Sequence, residues 1–124
     1  MIDGYFNSLE QVIDGFDIIE SSEIKKQKIN NSFGIIEGRL VFKNGILDFL
    51  EVVRVFDNHN ISKKKYKYHF RRFDNSMVFR YDNTPHYPKI STFPHHKHEK
   101  NIIIKSEEPE LIWVIQEIKN ITNE

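Results

Sequence analysis

The chain has 124 residues, 39% of them hydrophobic and 29% charged, which is the composition of one folded domain spanning 1–124 rather than of a disordered segment. Eighteen Lys and Arg balance eighteen Asp and Glu, so a generally basic nucleic-acid binder is not indicated and any polyanion contact must be local. Cysteine is absent, which excludes disulfides, thiolate metal ligands and a cysteine nucleophile, and fits a reducing cytoplasm.

The first residues, MIDGYFNSLEQ, carry no basic stretch followed by an apolar one, so no signal peptide is expected. No apolar run approaches the roughly 20 residues that cross a bilayer. The expected location is cytoplasmic. Residues 8–16 predict a short helix, with Ser8 as its cap and Leu9, Val12, Ile13 and Phe16 at helical spacing. Residues 17–31 fit a strand followed by a polar loop, or neither.

From Phe33 the pattern turns to β. FGIIEGRLVFK and ILDFLEVVRVFD flank Asn44-Gly45, a pair suited to a type I′ turn. That turn would set Lys43 against Ile46, Phe42 against Leu47 and Leu40 against Phe49. In the next strand Tyr66, Tyr68 and Phe70 alternate with Lys65, Lys67, His69 and Arg71. A two-residue turn at Asp74-Asn75 would pair Phe73 with Ser76. It would also set Phe70 against Phe79, Tyr68 against Tyr81, His69 against Arg80 and Lys67 against Asp82. One face of this hairpin is then aromatic, and the other gathers His69, Arg71, Arg80 and Asp82.

Residues 83–98 hold three prolines and no period, which predicts an ordered loop. NIIIKS reads as a last strand. EEPELIWVIQEIKNIT reads as a helix, with Glu107, Glu108 and Pro109 at its start and an apolar stripe of Leu111, Ile112, Ile115, Ile118 and Ile121. The fold class expected is α+β. It is an antiparallel meander of four to five strands at about 33–43, 46–57, 61–73, 76–82 and 101–105, with a short N-terminal helix and a C-terminal helix.

The chemistry concentrates in one quarter of the chain. Residues 63–72 carry six Lys or Arg and no acid, and four of the six histidines fall between His86 and His98. Imidazole exchanges protons near neutral pH, and Arg or Lys neutralises a phosphate and its transition state. Metal-free RNA cleavage needs a base for the 2′-hydroxyl, an acid for the leaving 5′-oxygen and cations on the phosphate. Candidates for the proton transfers are His69, His86, His95, His96 and His98, with Asp82 to orient one of them. Candidates for phosphate and base contacts are Arg71, Arg80, Lys97, Tyr66, Tyr68 and Tyr81.

Two other readings stand beside this one. The basic stretch from Lys63 to Arg72 could bind a nucleic acid or an acidic protein without catalysis. HHKH could support a metal-dependent nuclease, but adjacent His95 and His96 point apart in an extended chain, so no metal or other cofactor is assigned.

The joined motifs Tyr66 to His69 (YKYH), Phe79 to Asn83 (FRYDN), Pro85 to Pro88 (PHYP) and Phe93 to His98 (FPHHKH) resemble the TumE-type toxin family of toxin–antitoxin modules. LVFKNGILDFLEVVRVFD and the segment after EEPE extend the resemblance over about residues 35–120. Tyr87 stands where the family has a second histidine, and Asn75-Ser76 where Asp-Gly is common. The resemblance implies a toxin held inactive by a cognate antitoxin, commonly a DNA-binding protein from the neighbouring gene. A homodimer is compatible with the sequence.

Overall fold

The computed structural model describes residues 1–85 and 87–122. Among them the chain forms helix α1 (Ile2–Asp14), seven strands and helix α2 (Leu111–Thr122). The strands are β1 (Ser21–Asn30), β2 (Phe33–Phe42), β3 (Gly45–Val55), β4 (Ile61–Arg71), β5 (Met77–Asp82), β6 (His96–Glu99) and β7 (Ile102–Lys105). They make one antiparallel sheet in chain order. The expected α+β meander is present, with seven strands in place of four to five.

The two additional strands are β1 and β6. β1, SSEIKKQKIN, has almost no buried side chain, so it lacks the half-apolar alternation that announces a strand. Backbone pairing to β2 over nearly its whole length holds it. Lys26 and Lys28 also reach Glu10 and Asp3 of α1 at 2.6 and 2.8 Å. A charged outer strand of this kind discourages pairing with other chains. β6 overlaps the end of the stretch 83–98 expected to be a loop, where three prolines outweigh a short alternation.

The β2–β3 hairpin departs from its expected register. Phe42 stands opposite Gly45, Leu40 opposite Leu47 and Gly38 opposite Phe49. The turn is Lys43-Asn44, and no glycine of the chain has positive φ. Space, not turn conformation, requires glycine at 45. A Cβ there would collide with the Arg71 carbonyl oxygen and stand 2.9 Å from the Phe70 ring. The shift moves pairing by two residues, so the inward residues remain those expected.

The β4–β5 hairpin has the expected register from Lys67↔Asp82 through Phe70↔Phe79. A bulge then sets Arg71 opposite Met77, so the expected Phe73–Ser76 pair is not formed. Asn75 takes a left-handed φ of 72° in the turn, which asparagine tolerates.

Both helices contribute to a single core on one face of the sheet. Phe6, Leu9 and Ile13 of α1 and Leu111, Val114, Ile115 and Ile118 of α2 meet Leu40, Phe42, Phe49, Tyr66, Tyr68 and Phe70. Their bounds correct the sequence reading. α1 starts at Ile2, so Ser8 sits within it and donates to the Tyr5 carbonyl. Glu107, Glu108 and Pro109 precede α2, in whose first turn the Glu110 carbonyl accepts from the Trp113 and Val114 N–H groups. Ile112 faces outward and Val114 takes the inward place. Among the described residues no helix is long and apolar enough to cross a membrane.

Candidate functional site

The face of the sheet away from the core is polar, and its register aligns the charges in rows. One row runs Glu23, Arg39, Asp48, His69, Arg80, His98 across β1 to β6. The next runs Lys25, Glu37, Leu50, Lys67, Asp82, His96 and Lys105 across all seven strands. Around β3 the charges are paired: Asp48 binds Arg39 of β2 at 2.8 Å and Arg71 of β4 at 3.3 Å. At the β6 end they converge on Asp82.

Asp82 is 1% exposed and His96 2%. Arg80 Nε donates to Asp82 Oδ2 at 2.8 Å, His96 Nε2 lies 2.8 Å from Oδ1, and His98 Nε2 lies 3.8 Å from Oδ2. The Thr84 N–H donates to Oδ1 at 3.1 Å. His96 Nδ1 is 3.0 Å from the Pro94 carbonyl oxygen. A carbonyl only accepts, so Nδ1 carries a proton and Nε2 faces the carboxylate. The His96 and His98 rings stand 4.9 Å apart, and Tyr87 meets them edge-on at 4.9 and 5.9 Å.

His69 and His98 flank Arg80 on neighbouring strands. Strands lie about 4.8 Å apart, so the backbones of the two histidines stand roughly 10 Å apart with Arg80 between them in the row. Both histidines are held below the ordinary imidazole value. For His69 the first cause is burial, reinforced by Arg80 and Lys67. For His98 it is also burial, with Asp82 opposing and His96 and Arg80 reinforcing.

The fold thus brings His69, Arg80, Asp82, His96 and His98 together on the face away from the helices, Asp82 and His96 buried and the others part-exposed, with Arg71 one position along on β4. It separates the other candidates from them. Tyr66 and Tyr68 are fully buried on the core face. Tyr66 meets His95 Nδ1 at 2.8 Å, which places His95 on the core side as well. Tyr81 and Lys97 also face the helices, where both bind Glu117 of α2. Burial and the Glu117 hydrogen bond push the Tyr81 hydroxyl up to about 12. His86 lies outside the described residues.

One polar cluster escaped the sequence reading. Glu51 is fully buried on the core face and accepts hydrogen bonds from the Tyr5 and Tyr68 hydroxyls. Lys63 Nζ approaches it at 3.6 Å and donates to Tyr68 Oη and the Pro109 carbonyl. A bulge sets Val52 opposite Lys65 and Val53 opposite Lys63, skipping Lys64, and so turns Lys63 inward. The basic stretch from Lys63 to Arg72 is therefore not one continuous face. The available signal was Glu51 in the inward series Leu47, Phe49, Glu51, Val53.

A family model described as Toxin TumE matches residues 9–122. No curated protein and no solved structure matches the chain.

Proposed function

This chain belongs to the TumE toxin family, and from that premise we propose that it is the toxin of a toxin–antitoxin module and cleaves RNA by metal-free acid–base chemistry. The observation that carries the reading is the row His69, Arg80, His98 on the face of the sheet away from the helices. Arg80, oriented by Asp82, binds the scissile phosphate. His69 takes the 2′-hydroxyl proton, and the 2′-oxygen attacks phosphorus. His98 protonates the departing 5′-oxygen, leaving a 2′,3′-cyclic phosphate and a free 5′-hydroxyl. Arg71 and Lys67 extend the cationic surface along the strand, and His96 braces Asp82. Tyr66, Tyr68, Tyr81, Lys97 and His95 support the site from behind the sheet. A cognate antitoxin silences the protein by covering the open face.

The test is incubation of purified protein with RNA in EDTA. The expected result is cleavage with cyclic phosphate ends, slowed about 100-fold or more by His69→Asn and by Arg80→Ala. RNA that stays intact across substrates removes the catalytic reading. RNA bound uncut, with affinity falling steeply as salt rises, would favour the non-enzymatic binding alternative.

A further inference from the structure

Asp82 faces His96 across β5 and β6, and His98 follows His96 by two residues, so the pleat turns all three to the same side of the sheet, away from the helices. One ligand atom from each, all within 4.8 Å of one another, makes a cluster able to hold a metal ion. Two ligands of one tetrahedral zinc at 2.0–2.2 Å sit roughly 3.4 Å apart. His96 Nε2 stands 2.8 Å from Oδ1 and His98 Nε2 3.8 Å from Oδ2, so each histidine faces its own carboxylate oxygen at close to that spacing. We propose that these three residues form a two-histidine, one-carboxylate site for a first-row divalent transition metal, zinc being the best fit.

The supporting contacts are of the kind such sites use. A ligating histidine donates its other ring nitrogen to a carbonyl or carboxylate, and His96 Nδ1 does so to Pro94. A ligating carboxylate is itself held by hydrogen bonds, and Asp82 has Arg80 on Oδ2 and the Thr84 N–H on Oδ1. Two imidazoles and one carboxylate favour zinc, nickel, copper or cobalt over magnesium or calcium, which take oxygen ligands. Arg80 works against the site, because its positive charge stands beside the ion. The affinity is therefore expected below that of a structural zinc site.

A bound ion would take the His98 lone pair, so in the acid–base reaction proposed above occupancy blocks the site. That consequence rests on the RNA reading, but the binding itself does not. Titration of tag-free protein with zinc chloride and, separately, magnesium chloride, followed by calorimetry, reads binding alone. One zinc per chain and no magnesium heat are expected, with zinc binding lost in His98→Gln and in Asp82→Asn. His98 is part-exposed, so its variant keeps the test valid if Asp82→Asn does not fold, with circular dichroism as the check. Absence of stoichiometric zinc binding, or binding retained in the folded His98→Gln protein, overturns the proposal.

Discussion

At the scale of single residues, what sets a side chain's chemistry here is which face of the sheet it occupies. His69 is legible in the sequence as the outward member of an alternating strand. Its protonation was not, because burial and the neighbours Arg80 and Lys67 arise only from pairing. Since the fold lowers its pKa, the unfolded chain binds the proton more tightly. Its contribution to stability is full above the unfolded value of about 6.5 and is lost as pH falls through the folded value. Urea midpoints measured from pH 7.5 to 5 should therefore fall less steeply in His69→Asn than in the wild type. Glu51 makes the opposite case, an acid in an apolar series that the sequence displays but does not explain. Its carboxylate gathers Tyr5, Tyr68 and Lys63. Glu51→Ala would strand the Lys63 ammonium, whose side chain is 7% exposed. A loss of about 3–5 kcal/mol in chemical denaturation is expected.

At the scale of elements, strands with an apolar side announced themselves and polar ones did not. β2 to β5 alternate and were legible. β1 forms because β2 offers it an unpaired edge, and β6 because β5 does, and neither cause is local. Glycines show the same division. Gly45 suggested a turn residue, but tertiary approach of Arg71 and Phe70 is what excludes a side chain. Gly45→Ala should cost about 1–3 kcal/mol. A methyl group at Gly4 of α1 would meet nothing within 4 Å, so Gly4→Ala should stabilise by about 0.5–1 kcal/mol through helix propensity. Thermal melts of the two variants should move in opposite directions.

At the scale of the whole molecule, the sheet divides two kinds of work. The helix-covered face holds the core and its buried polar contacts, and the open face holds the charged rows. Lys97 belongs to the first. Although burial disfavours its charge, hydrogen bonds to Glu117, Tyr81 and Glu99 raise its pKa on balance. It anchors α2 to β6. Lys97→Met should destabilise the protein by about 1–3 kcal/mol in urea while leaving the RNA cleavage rate of the folded fraction unchanged. A loss of cleavage at unchanged stability would place Lys97 in the reaction and contradict the division of faces.

The sequence by itself determined the β4–β5 register from Lys67 to Phe70, the aromatic side of that hairpin, the presence of two terminal helices and the family, because these rest on local alternation and joined motifs. It also marked the quarter of the chain that holds the histidines. Only the tertiary structure decided which of them meet. His95 and His96 are adjacent in the chain, yet β6 sends one to Tyr66 and the other to Asp82. That choice depends on β6 pairing with β5, a contact made across a proline-rich loop. Side-chain direction in a strand is inherited from the neighbour it pairs with, and no local pattern encodes that neighbour.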